Sequence, residues 1–144
     1  MNDSTWTWMG GSNTTNQQGV YGEKGIPNPT NHPGAREGAV GWYDSLREEF
    51  WLFGGYGYDS TFTKQFLLKK KFQLITLIGW LNDLWRYRVN DSTWTWISGN
   101  STTNQGGVYG EKGKASTSNH PSARREAVGW YDSLREEFWL FGGY

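Results

Sequence analysis

Cysteine is absent from this 144-residue sequence, which excludes disulfide staples, thiolate zinc sites and any cysteine nucleophile, and leaves the compartment open. Charge of one sign is also missing. Fourteen acidic residues balance fourteen basic ones, and Lys69, Lys70 and Lys71 form the one basic run, so no field gathers nucleic acid and no nucleic-acid partner is expected. The longest apolar run, from Phe72 to Leu81, is too short to cross a bilayer, so no transmembrane segment is expected. The opening stretch MNDSTWTWMGGSNTT lacks a basic region followed by an apolar one, so it does not read as a secretory signal, and a cytoplasmic location is the default expectation. Four glycosylation sequons, starting at Asn2, Asn13, Asn90 and Asn100, carry little weight in a chain so rich in Asn, Ser and Thr.

What is abundant is aromatic. Phe, Trp and Tyr make up 17% of the chain, with ten Trp, eight Tyr and 20 Gly, a profile of β-strands joined by glycine turns. The block from Asn2 to Tyr56 recurs as Asn90 to Tyr144 without a gap, at an offset of 88 residues. Forty-two of the 55 aligned positions are identical. Identity extends through polar loops, so a young duplication accounts for it better than packing does. Repeats of this kind mark architectures in which one unit cannot bury its own apolar face and a neighbour supplies the partner surface.

Alternation places the strands. Trp94 and Trp96 fall on one face of a strand from Thr93 to Ser98, and Trp6 and Trp8 repeat the device in Thr5 to Met9. In Asp83 to Val89, Trp85, Tyr87 and Val89 share one face and Arg86 and Arg88 the other. Asn90, Asp91 and Ser92 then turn the chain, which predicts a hairpin. A second hairpin is predicted in Ala35 to Tyr43, the polar connection Asp44 to Glu49, and Phe50 to Phe53, ended by Gly54 and Gly55; its copy is Ala123 to Gly143. Between them, Gly10 to Gly34 and Gly99 to Ser122 read as long surface loops.

The segment Phe62 to Leu81 is foreign in composition, aliphatic and lysine-rich in a chain of Trp, Gly, Ser and Asn. Leu67, Lys71, Leu74, Ile78 and Leu81 fall at helical spacing, whereas Phe72 to Ile78 also fits a strand. A membrane-surface helix and translated non-coding sequence are further readings.

The order of signals, FWLFGG at Phe50 to Gly55, then Tyr87, then six residues, then Trp94, resembles the kelch repeat. The resemblance implies an all-β fold, a partial kelch-type β-propeller like the central domain of galactose oxidase. It would comprise about one complete four-stranded antiparallel blade plus parts of two neighbours. Residues 1–34 would be the last strand of a preceding blade and a long Gly/Asn-rich loop. Residues 35–99 would be one complete blade with an aliphatic and lysine insertion at 62–81, and 100–144 the loop and first hairpin of the next. Gly54, Gly55, Tyr87, Trp94, Gly142 and Gly143 would carry the structural motif, and Arg36 and Arg124 match an arginine common at the start of the first strand. Tyr87 and Trp94 are plates able to fill the wedge between sheets, with their N–H and O–H groups finding backbone partners. Two departures stand out. The period of 88 exceeds the usual ~50 residues, and one and a half blades leave edges and aromatic faces open where closed propellers need roughly four to eight.

Catalytic constellations are sparse. Without cysteine the Tyr–Cys copper cofactor of galactose oxidase cannot form, so no cofactor and no metal is expected. His32 and His120 occupy the same Asn-His-Pro turn in different copies. Asp44, Glu48 and Glu49, with Asp132, Glu136 and Glu137, could supply a carboxylate pair for glycoside cleavage, but their turn positions favour solvated charges. The reading that follows is a non-catalytic protein-protein interaction module that binds through its loops, with Tyr21 and Tyr109 as candidate binding aromatics, and not an enzyme. A carbohydrate-binding or carbohydrate-active propeller is the alternative, and a truncated fragment with no independent function the second. Self-association is expected if the chain is complete.

Overall fold

The computed structural model describes residues 4–60, 64–68, 71–75 and 78–144, and these form strands, turns and loops without a helix. None of the described residues therefore forms a helix long and apolar enough to cross a membrane.

Nine strands follow in order: β1 (Arg36–Glu37), β2 (Val40–Asp44), β3 (Glu49–Tyr58), β4 (Lys64–Leu68), β5 (Lys71–Ile75), β6 (Ile78–Arg88), β7 (Thr93–Ser98), β8 (Val128–Asp132) and β9 (Glu137–Phe141). The main sheet is antiparallel and five-stranded, in the order β1-β3-β6-β7 with β2 also on β3. Strands β1 and β2 lie along the same edge of β3, with Glu37 opposite Tyr56 and Val40 opposite Phe53. They are the two halves of the strand predicted from Ala35 to Tyr43, broken where Gly38 takes φ 62. The sheet is thus four strand positions wide, with β1 and β2 together forming one edge and β7 the other.

Local chemistry explains the turns. The Asp44 carboxylate accepts from the backbone N–H groups of Leu46 and Arg47 at 3.0 and 3.3 Å and from the Arg47 guanidinium at 2.7 Å. That side chain therefore folds the β2–β3 turn over itself. At β6–β7, Asp91 Oδ1 accepts from both the N–H and the hydroxyl of Thr93, at 3.2 and 2.6 Å. The hairpin predicted there is present, with Tyr87 opposite Trp94 and Trp85 opposite Trp96.

Two expectations change and one open alternative is resolved. Gly54 and Gly55 do not end the strand: β3 runs on to Tyr58 through a bulge between Phe53 and Gly55, at φ values of 64 and 102 that suit glycine. The segment 62–81 is strand rather than helix where it is described. β4 and β5 pair with each other, and β6 begins at Ile78; Lys69 and Lys70 lie outside the described residues. Thr5 to Met9 is not a strand, although its copy forms most of β7. The pairing that makes β7 a strand comes from Leu84 to Arg88, and no described strand pairs with Thr5 to Met9. With no ladder to join, Trp6 and Trp8 stand exposed.

The two copies meet face to face. Alternation puts Val40, Trp42, Trp51 and Phe53 on one side of the main sheet, the Trp42 face, and Tyr43, Phe50 and Leu52 on the other, the Phe50 face. The hairpin β8–β9 lays its own Phe50-equivalent side, Tyr131, Phe138 and Leu140, onto the Trp42 face. Phe138 sits with ring centroids 4.9 Å from Trp51 and 5.5 Å from Trp42. Gly129 admits the contact, since a Cβ there would come within 2.7 Å of the Trp42 indole. Backbone bonds tie the layers, Gly55 N–H to Arg124 O at 2.9 Å and Arg124 N–H to Leu81 O at 3.0 Å. Ion pairs Arg125–Glu37 at 2.7 Å and Arg47–Glu136 join the exposed rim, where such pairs add little.

Both loops are braced alike, by Val20 bridging His32 in the first and Val108 bridging His120 in the second. The first loop lies on the outer edge of β7. Gly25 donates its N–H to Trp96 O at 2.8 Å, Asn28 bridges Trp94, and Lys24 reaches Gly99 O at 2.8 Å while lying over the Trp96 ring. An edge strand that would otherwise offer open hydrogen-bonding groups is covered.

Candidate functional site

Asp83 interrupts the apolar run of β6 and is fully buried. A carboxylate there costs free energy unless every lone pair is used. Arg36 meets it with two N–H groups at 2.7 and 2.8 Å, the Tyr21 hydroxyl donates at 2.6 Å and the Trp85 indole at 2.7 Å. Arg36 is itself anchored on Gly34 O at 3.1 Å and Gly54 O at 3.0 Å, so the arginine, the double glycine and the first loop form one polar knot. Burial, and then the Asp83 charge, hold the Tyr21 phenol well above the ordinary tyrosine range.

This geometry corrects the reading of Tyr21 as a loop aromatic open to a partner. It is 5% exposed, tilted against Trp85 at 4.7 Å and edge-on to Trp96 at 5.2 Å. Its work is internal: it fastens the loop to the sheet. Tyr109, the same residue of the second copy, is 64% exposed.

The second copy repeats the knot without the acid. Arg124 holds the same posture on Ser122 O at 3.1 Å and Gly142 O at 2.6 Å, and its remaining nitrogen donates to the hydroxyls of Tyr109 and Ser122, both at 2.8 Å, Ser122 standing where the first copy has Gly34. The Tyr109 phenol is shifted down from the ordinary tyrosine value, first by hydrogen bonding at Ser122 and further by Arg124. Beside this pair, β9 is hydrogen-bonded to β8 alone among the described strands, whereas its counterpart β3 carries β6 on its far side.

The faces follow the same rule. Val40, Trp42 and Phe53 are 8%, 8% and 5% exposed, and their copies Val128, Trp130 and Phe141 are 63%, 49% and 74% exposed. On the other side of the molecule Tyr43 and Phe50 are half-exposed, while Tyr131 and Phe138 are covered. A methyl group on Gly54 would meet Arg124 O at 2.7 Å, and on Gly142 nothing within 4 Å. Gly143 repeats the positive φ of Gly55, at 86. Tyr87 and Trp94 pack at 5.1 Å, yet the Tyr87 hydroxyl is buried with no hydrogen-bond partner among the described residues, contrary to the expectation of a backbone acceptor. They line an open groove of about 550 Å³ on the Phe50 face, with Trp8, Met9, His32 and Phe50.

Of the six turn carboxylates, Glu48, Glu136 and Glu137 are exposed, as expected of solvated charges, and two are buried. Asp44 and Glu49 are buried, Asp44 closing its own turn and Glu49 facing Arg86 at 3.6 Å. His32 and His120 each bond the carbonyl of the next proline, at 3.1 and 3.2 Å. No group of three or more His, Asp or Glu among the described residues is placed to hold a metal ion. No family model matches this chain, and no curated protein does.

Asp83 is the central residue that composition and spacing did not single out. Its signal is local: an acid on the face that alternation gives to Trp85 and Tyr87 must be buried with a partner or break the strand, and Arg36 stands at a strand start.

Proposed function

We propose that the chain is built from kelch-type blades and works as a non-catalytic protein-binding module. One observation carries this reading: residues that polypeptide covers in the first copy stand uncovered, and identical in sequence, in the second. The segment from Val40 to Tyr56 is repeated without change as Val128 to Tyr144. A surface with that composition and shape is already matched to polypeptide, namely to the Phe50 face of the same unit. The order of double glycine, Tyr and Trp, the sheet four strand positions wide and the face-to-face contact support the architectural part.

The test is association. The Trp130 face of one molecule and the Phe50 face of another are complementary and distinct, so the contact is heterologous and propagates or closes as a ring. In sedimentation equilibrium the chain is expected at twice its 16.5 kDa mass or more. Trp130→Glu and Phe50→Glu are each expected to be monomeric, and their equimolar mixture to recover a dimer, because each retains the face that the other lacks. A wild-type monomer across the accessible concentration range contradicts the reading.

Trp130 and Trp139 favour a second reading. Their rings are parallel within 3° and half-exposed, a flat apolar plate of the sort on which sugar rings stack. Glycan-array binding abolished by Trp130→Ala, in a protein that stays monomeric, would select it.

A further inference from the structure

The polar knot of the second copy, which holds hydroxyls where the first holds an acid, has the shape of a receptor for a strand. Three features of β6 are received in the first copy: its backbone by the far edge of β3, its Asp83 by Arg36 and Tyr21, and its Trp85 and Tyr87 side chains beside Leu52 and Phe50. Each receiving group has a copy beside β9. The edge of β9 carries no described strand, Arg124 and Tyr109 sit together without a carboxylate, and Leu140 and Phe138 replace Leu52 and Phe50.

A cavity completes the set. Between β9 and the main sheet lies an opening of about 210 Å³, bounded by Trp42, Phe53, Leu84, His120, Phe138 and Leu140. Side chains of the strand that paired with β9 in the manner of β6 would point into it at the Trp85 and Tyr87 positions, since those residues share the face of Leu52 and Phe50. The space suits one large aromatic ring. At its rim, Arg124 is fixed by two carbonyls and turns its outer nitrogen to the Tyr109 and Ser122 hydroxyls, neutral acceptors that an incoming carboxylate would displace for a charge-assisted pair.

We propose that the second copy is an acceptor site for an extended polypeptide strand bearing an Asp-x-Trp sequence, which adds antiparallel to β9, places its carboxylate on Arg124 and Tyr109 and its indole in the cavity. This is β-strand addition, with backbone bonds giving affinity and the acid and indole giving register and specificity. A sugar would use the Trp cavity and leave the edge of β9 untouched; a free anion would use Arg124 alone.

This inference rests on the reading that the second copy binds polypeptide, but on a different surface from the Trp130 face, so each can fail by itself. The experiment titrates the full chain with a labelled synthetic peptide of Leu81 to Ser98, followed by fluorescence anisotropy, with amide signals of Phe138 and Leu140 reporting the location. Saturable binding is expected, at least tenfold weaker when the peptide carries Asp83→Asn or the chain carries Arg124→Gln, and a Trp85→Ala peptide should weaken at least as much. Trp130→Glu in the chain should leave peptide affinity unchanged. Absence of binding overturns the proposal. So does equal affinity for the Asp83→Asn peptide, which would mean apolar adhesion only, and so does a response confined to the first copy. Arg124 lies at an exposed rim, so its variant is expected to fold; Tyr109→Phe, which removes a single hydroxyl, provides a second reading of the same contact with an expected threefold or greater loss.

Discussion

Asp83→Ala is expected to lower stability by about 3–5 kcal/mol, the range for breaking a buried pair and leaving its partner charge uncompensated. The stranded group is Arg36, whose side chain is 5% exposed and which has no route to water without giving up Gly34 and Gly54. Tyr21 and Trp85 would lose their acceptor at the same time. A domain is held by only ~5–15 kcal/mol, so a loss of this size removes a large part of the margin. Urea unfolding followed by Trp fluorescence measures it, and Arg36→Ala should cost a comparable amount because it strands the acid instead. The double variant should cost less than the sum, since neither charge is then left alone. Independent, additive losses would show that the knot is not a unit.

The second large effect separates the copies. Trp42→Ala is expected to cost about 3–5 kcal/mol, as truncation of a buried Trp does, and Trp130→Ala about 1 kcal/mol or less, as at exposed positions. The two residues are the same amino acid in the same seventeen-residue sequence, so intrinsic propensity cancels. What differs is the cover: Phe138 and Gly129 lie over Trp42, and Trp130 stacks only on Trp139 of its own hairpin. The comparison is best made under conditions that keep the wild type dissociated, because association through the Trp130 face would add to its measured cost. Equal losses at the two positions would mean that the contact between copies contributes nothing.

Much of the fold was legible because alternation is a local property. Thr-Trp-Thr-Trp and Leu-Trp-Arg-Tyr-Arg each declare their faces, and Asn90, Asp91 and Ser92 declare the turn between them, so β7 and the end of β6 are legible, whereas β6 begins five residues before the expected Asp83. What the sequence left open depends on partners distant along the chain. Thr5 to Met9 has the pattern of β7 and lacks its ladder, which no local signal reports. Gly54 and Gly55 permit either a strand end or a bulge, and the choice is made by Arg124 and Leu81, whose carbonyl oxygens lie against Gly54. Phe62 to Leu81 satisfied both periods, and pairing in register with neighbouring strand resolved the described part of it.

The candidate site was half legible. Arg36, Arg124 and the glycines were noted through a resemblance, and Tyr21 and Tyr109 through their place in a repeated loop. Treating the two tyrosines alike was the error, and a physical one. Identical residues in duplicated units need not share an environment, because a unit at one position is covered by a neighbour that the other lacks. The difference between a buried Tyr21 and an exposed Tyr109 is the same fact as the difference between Trp42 and Trp130.

Proton NMR reads the face-to-face contact between copies without altering a residue. A NOESY spectrum is expected to show cross-peaks from the Trp42 indole to the Gly129 α-protons, and from the Trp42 and Trp51 indoles to the Phe138 ring, together with the cross-strand peaks of each hairpin, Tyr43 to Phe50 and Tyr131 to Phe138. If the peaks within each hairpin are present and those between Trp42 and Gly129 or Phe138 are absent, the hairpins fold without stacking, and the open surfaces of the second copy are no guide to what it binds.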